Sequence, residues 1–318
     1  MRLKKLLRRI LLRHIERNEA FEKRLLYLLK DACPTKFIWL DYPVCPKPRY
    51  TSSQPHPILY QILNSSRAEY EKHLLSFLQY RPNFSQIRLQ ADPDTSYEPR
   101  WLNDFLTGLD AISLYSFLAT NNPKRYVEIG SGNSTKFARR AIVDCKLRTT
   151  ITSIDPNPRS EIDEICDHRI NIAVEDCDLD FFGELEAGDV LFVDGSHRVF
   201  TNSDCTVMFL EILPRLCSGV LVQFHDICLP YDYPQDWSNR FYSEQYLLAA
   251  YLLARADFLE VVLPNAFISY DEHLRAILSP IWTDPLLQGI QVGGGSFWVK
   301  TSRGEEESAA AAVARPLA

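Results

Sequence analysis

From residue 125 onward, short β-rich runs alternate with helical stretches, and this alternation constrains the fold more than any other feature. The runs are RYVEI (125–129), TITSI (150–154), RINIAV (169–174), DVLFV (189–193) and GVLVQF (219–224). After a helix near 243–255 come DFLEVVL (257–263) and GSFWVK (295–300). Strands alternating with helices build a parallel sheet covered on both faces, so an α/β, doubly wound domain is expected. Hydrophobic residues at 46% and charged residues at 24% supply its core and exclude disorder for the bulk of the 318 residues. No apolar run approaches the ~20 residues of a membrane span.

Upstream the pattern changes. Residues 1–31 read as a basic amphipathic helix, with Leu3, Leu6, Leu7, Ile10, Leu11 and Ile15 at steps of three and four. Ten Lys/Arg against four Asp/Glu give this segment +6 in a chain of net charge −6, leaving −12 on the remainder. Such a helix suits peripheral contact with the inner face of an anionic membrane, or packing against residues 66–120 or a second copy in a homo-oligomer. Residues 32–122 form a proline-rich arm and helical extension, with helices expected over 66–79 and 103–120, the second capped by Asn103 or a neighbour. Residues 123–303 hold the sheet, and 304–318 read as a disordered tail. The acidic balance argues against a nucleic-acid partner. Eight cysteines without CxxC or zinc-finger spacing, and an N-terminus without a continuous apolar stretch, predict a reducing cytoplasm.

Glycine is scarce, 12 in 318, which makes Gly130 and Gly132 of EIGSGNST informative. They follow a strand and open a helix, where missing side chains let a ligand approach the backbone. The second strand ends at Asp155, a carboxylate able to take both hydroxyls of a ribose. A nucleoside is therefore expected at the carboxyl ends of the strands. A dinucleotide would set its pyrophosphate on the helix N-terminus, which Glu128 at the loop mouth and Thr135 in place of a third glycine count against. A ligand with a cationic amino group, ribose and adenine suits Glu128 and Asp155 better, and S-adenosyl-L-methionine has those parts.

In order and spacing, RYVEIGSGNST, SIDPNPR, DVLFVDGSH and HDI resemble the class I S-adenosylmethionine-dependent methyltransferases. From Trp101 to Lys300, phrases such as LDAISLY, FVDGSHRVFTNSD, HDICLPYDYP, YSEQYLLA and GGSFWVK resemble a bacterial branch known mainly by its fold. The resemblance implies a seven-stranded, mostly parallel sheet of order 3-2-1-4-5-7-6, with GSFWVK as the antiparallel last strand. It implies a cofactor site of Glu128, Gly130, Ser131, Gly132, Asn133 and Ser134 in the first loop, Asp155 and Pro156 at the ribose, Glu175 and Asp176 at adenine, and Asp194 at the methionine end.

Two histidines stand beside acids at neighbouring strand ends: Asp194 and His197 after the fourth strand, His225 and Asp226 after the fifth. Adjacent strands lie ~4.8 Å apart, so these four side chains can converge. His197 or His225 can act as a general base, with Asp226 or Asp194 orienting it. Alternatively, Asp194, His225 and Asp226 can hold a divalent cation. The distantly similar catechol-type O-methyltransferases carry an Asp-Asn pair where His225-Asp226 stand, which counts against magnesium. Asp204 is expected to cap the next helix, and Tyr231, Tyr233, Trp237, Tyr242 and Glu244 to form an aromatic lid or a packed loop. The expected activity is O-methylation of a small-molecule or glycan hydroxyl. An NAD(P)-dependent oxidoreductase and a non-catalytic scaffold retaining the pocket are the alternatives.

Overall fold

Seven strands form the sheet: β1 Arg125–Ile129, β2 Thr150–Ile154, β3 His168–Ile170, β4 Val190–Val193, β5 Leu221–Phe224, β6 Leu259–Pro264 and β7 Phe297–Thr301. This computed structural model describes residues 44–90, 96–158, 161–254 and 257–302; the basic helix expected over 1–31 and the tail over 304–318 lie outside them. The spatial order is β3-β2-β1-β4-β5-β7-β6, parallel from β3 to β5, with β7 antiparallel to both neighbours, as expected. The central strands β4 and β5 are buried at every position; β4 is an unbroken apolar run, and β5 is interrupted only by Gln223, whose amide donates to Ser296 Oγ. β3 is shorter than RINIAV: at the sheet edge, pairing ends at Ile154 with Ile170, and the chain leaves into a turn over Val174–Asp176.

The described residues from Lys47 onward form one compact unit containing both the helical extension and the sheet. Helices α1 Pro57–Ser65 and α2 Arg67–Phe77 bury Leu59, Leu63, Tyr70, Leu74 and Phe77. α3 Gly108–Asn121 is buried along eleven consecutive residues from Gly108 to Leu118, so it runs through the core rather than over it. Its Phe117 lies 4.8 Å from the ring of Trp298, whose indole N–H donates to Ser113 Oγ at 3.1 Å. The helix begins at 108, not 103. Asn103 Oδ1 instead accepts from Phe105 N and Leu106 N, closing a turn that holds 103–106 out of the helix. α4 Asn133–Cys145 follows β1, and α5 Glu244–Leu253 follows β5. Among the described residues seven cysteines are unpaired, and no helix is long and apolar enough to cross a membrane.

Candidate active site

The loop after β1 owes its shape to one glycine and one buried acid. Gly130 has φ +80°, and a Cβ there would stand 2.0 Å from the Asp194 carbonyl oxygen, so only glycine lets β1 and β4 end this close. Glu128 lies beneath the loop, fully buried. Its carboxylate accepts from Tyr126 Oη at 3.0 Å and from Thr135 Oγ1, and Thr135 Oγ1 in turn accepts from Gly132 N at 3.0 Å. Burial pushes the Glu128 carboxyl up to about 7 despite these donors. Glu128, expected to face a ligand amino group, is not among the residues that line the cleft above the loop, and its hydrogen bonds brace the loop from inside. Thr135, noted above only as a missing glycine, carries that brace to the backbone.

Above the loop a cleft of about 380 Å³ opens between the ends of β1, β2 and β4. Gly130, Ser131, Gly132, Asn133, Ser134, Asp155, Pro156, Glu175 and Asp194 all line it. Asp176, expected beside adenine, is not among the lining residues, because the turn over Val174–Asp176 presents Val174 and Glu175 instead. Asp155 Oδ2 accepts from Ser131 N at 2.8 Å and Oδ1 from Asn157 N at 2.7 Å, which fixes the carboxylate at the cleft wall. Phe105 and Leu106 of the Asn103 turn also line the cleft, a contribution from the extension that the helix expected over 103–120 concealed.

A second cleft of about 990 Å³ adjoins the first, and Asp194 and Phe105 line both. Its floor is a cluster of ionisable side chains. His197 Nδ1 lies 2.9 Å from Glu244 Oε2, and its Nε2 lies 3.1 Å from Asp194 Oδ1 and 3.7 Å from Asp226 Oδ2. His225 Nδ1 is 3.5 Å from Asp194 and 3.4 Å from Asp226, while Nε2 is 3.6 Å from Asp110. These last contacts are ion pairs rather than hydrogen bonds, and both ring nitrogens of His225 are buried without a hydrogen-bond partner. The four residues expected to converge do so. Asp110 and Glu244 complete the cluster.

Burial opposes charge on both rings, but the carboxylates outweigh it. Asp194 and Glu244 hold His197 well above the usual histidine range, and Asp194, Asp226 and Asp110 do the same for His225. Asp194, despite burial, is held far below the usual carboxylate range by the two imidazoliums. Four acids thus surround the two rings. Asp194 and Asp226, weighed above with His225 as ligands of a divalent cation, make these ion-pair contacts with both rings.

Backbone geometry aims these side chains. His197 and Asp226 adopt φ values of +60° and +55°, a left-handed conformation uncommon for residues other than glycine. The 197 turn is tied to the start of α5, where Ser243 N and Glu244 N donate to the His197 carbonyl. Ser203, not Asp204, caps the helical turn at Asp204–Val207; Asp204 accepts from Ser196 N and Oγ, bracing the β4 loop. Asp110 takes Thr107 Oγ1 and Gly295 N on one oxygen and Asn265 Nδ2 and Ser296 N on the other, joining α3 to the approach to β7. Its signal in sequence is an acid within the apolar LDAISLY. Tyr233, Trp237 and Tyr242 pack on one another with centroids 5.8–6.1 Å apart, and Tyr242 sits 4.6 Å from the His197 ring. The aromatic stretch is thus both packed and part of the cleft wall.

Residues 127–227 match a family model described as a methyltransferase domain. No curated protein matches the chain. Among solved structures, an O-methyltransferase from Bacillus cereus in complex with S-adenosylhomocysteine is 13% identical, with a TM-score of 0.35, covering 73% of this chain and 91% of that one. A methyltransferase from Podospora anserina bound to the same molecule is 13% identical, TM-score 0.37, covering 76% and 96%. A putative O-methyltransferase from Klebsiella pneumoniae is 11% identical, TM-score 0.35, covering 79% and 99%. The family match runs from β1 to just past β5, across the strands that build the first cleft, so this part of the chain is similar to a methyltransferase domain.

Proposed function

We propose that the chain methylates an oxygen of a small-molecule or glycan acceptor, with the cofactor in the smaller cleft, the acceptor in the larger, and His197 receiving the hydroxyl proton. The observation that carries this reading is the shared wall: Asp194 lines both clefts and contacts both histidines. The smaller cleft falls in the ~300–1,000 Å³ range of small-ligand sites. It offers Asp155 to ribose hydroxyls, Glu175 to the base, and small loop residues where a ligand must meet backbone. S-adenosylmethionine supplies an electrophilic methyl group on a sulfonium, leaving as a neutral thioether.

The protein's own task is to align the acceptor and remove its proton. His197 is placed for the second. Glu244 accepts from Nδ1–H, which leaves Nε2 as the nitrogen directed toward Asp194 and Asp226 at the cleft floor. The flanking carboxylates favour the charged ring and raise its pKa above the usual histidine range. A catalytic cycle therefore needs the ring to give up its proton before the acceptor loses its own. His225 and Asp226 set the field around that exchange.

Calorimetric titration tests the cofactor, and S-adenosylhomocysteine release from a metabolite extract tests the chemistry. Binding of S-adenosylmethionine without binding of NADH, with release of S-adenosylhomocysteine in the extract, is expected. Binding of NADH alone would return the chain to the oxidoreductases. Cofactor binding without release in any extract would favour a scaffold.

A further inference from the structure

Phe105 lines both clefts, and no mechanism above uses it. Its ring is 55% exposed, a large apolar surface held at the junction of two ligand sites. The placement is built. Asn103 accepts from the backbone of Phe105 and Leu106, and Asn103 Nδ2 donates to the Arg100 carbonyl at 2.9 Å. Leu106, next in the chain, is 4% exposed and anchors the turn in the core. Thr107 Oγ1 then lies 2.7 Å from both Asp110 Oδ2 and the Gly293 carbonyl oxygen, its one proton shared between them, tying the end of the turn to the floor of the larger cleft. The backbone that carries this exposed phenyl is held at both ends, so covering the ring with ligand gains apolar burial without ordering the turn.

We propose that Phe105 is a ligand-contacting residue shared by the two sites, packing against the methionine end of the cofactor and forming one wall of the acceptor's approach. This rests on the reading of the smaller cleft as the S-adenosylmethionine site. The methyl group must be delivered where the clefts meet, so the sulfonium end of the cofactor belongs beside Asp194 and Phe105. The nucleoside end belongs beside Asp155 and Glu175. Phe105 then serves alignment by narrowing the space through which acceptor and methyl group meet, and it shields that space from water.

Three probes separate the ends of the cofactor: S-adenosylmethionine, S-adenosylhomocysteine and adenosine, titrated into the full chain by calorimetry. Phe105→Ala is expected to weaken the first two about tenfold and to leave adenosine within about twofold, the scale of losing half a buried phenyl. Phe105→Leu should recover most of the loss. Asp155→Ala should weaken all three. Equal weakening of all three probes by Phe105→Ala would mean that the residue only holds the turn, and unchanged affinity for all three would mean that it contacts nothing; either result overturns the proposal. If the wild-type chain binds none of the probes, the cofactor reading itself fails, an outcome distinct from both.

Discussion

The two clefts are made in different ways. The smaller is built from consecutive residues: one loop after β1, one carboxylate at the end of β2, one turn after β3, with backbone and small side chains forming most of its wall. The larger has a floor of side chains drawn from α3, β4, β5 and α5, brought together only when the sheet closes and its helices dock. A site of the first kind depends on local conformation, and a site of the second on convergence. The first should tolerate substitution at the second, and the chemistry should fail long before the cofactor is lost.

The largest effect sharpens this contrast. His197→Ala is expected to lower kcat by ~10²–10⁴ while leaving S-adenosylmethionine affinity nearly unchanged. Release of S-adenosylhomocysteine and calorimetry, run on the same preparation, measure the two. Comparable losses in both would show that the floor of the larger cleft also shapes the smaller one. The pH profile adds a sign. Burial lowers the His197 pKa, but Asp194 and Glu244 raise it further, so the free base appears only above the usual histidine range and the rate should climb there. The same shift stabilises the fold at low pH, and that contribution fades as pH rises through the raised pKa. A rate already flat at neutral pH would mean that the carboxylates do not hold His197 above its usual range.

What could be read in advance follows the same division. Strand identity was legible because buried parallel strands are mostly apolar, whereas their order followed from the family resemblance carried by EIGSGNST and SIDP. Convergence of His197 and His225 was legible because neighbouring strand ends force it. Asp110 was hidden: nothing local links an acid inside a buried helix to the histidine that follows β5, and only the docking of α3 against the residues before β7 joins them. Glu244 was grouped with an aromatic lid, since its tie to His197 depends on where α5 lands. Glu128 was placed on the ligand side because its pattern in sequence is the same whether the carboxylate points up into the cleft or down to Tyr126. Phe105 was concealed by an apolar periodicity that continues past the true helix start.

A binding measurement tests the local site directly. Asp155→Ala removes a carboxylate whose oxygens each take one backbone N–H and remain available to ribose hydroxyls. The loss should be ~1.5–3 kcal/mol in S-adenosylmethionine affinity, the scale of charged hydrogen bonds. His197 should titrate as before, because Asp155 takes no part in its ion network. A folded Asp155→Ala chain with wild-type affinity would mean that the smaller cleft is not organised around β2. A shift in the His197 titration would mean that the two sites are electrostatically joined.

The smallest effect concerns Glu128, which belongs to the local site yet touches no ligand surface. Burial is the dominant cause of its raised pKa of about 7, and the hydroxyls of Ser134, Thr135 and Tyr126 only partly offset it. An unfolded glutamate ionises near the ordinary carboxylate value, ~4.3, so between that pH and neutrality the folded chain holds a proton that the unfolded chain has lost. Stability from this group is therefore greatest at acid pH and declines as pH rises toward 7. Glu128→Gln keeps an acceptor for one hydroxyl and cannot ionise. Its unfolding temperature relative to wild type should improve steadily from pH 5 to pH 8, with S-adenosylmethionine affinity close to unchanged at pH 5. A constant offset across that range would mean that Glu128 is already ionised throughout. A large loss of affinity at pH 5 would mean that the carboxylate reaches the ligand after all, and the loop would then be a recognition element rather than a braced turn.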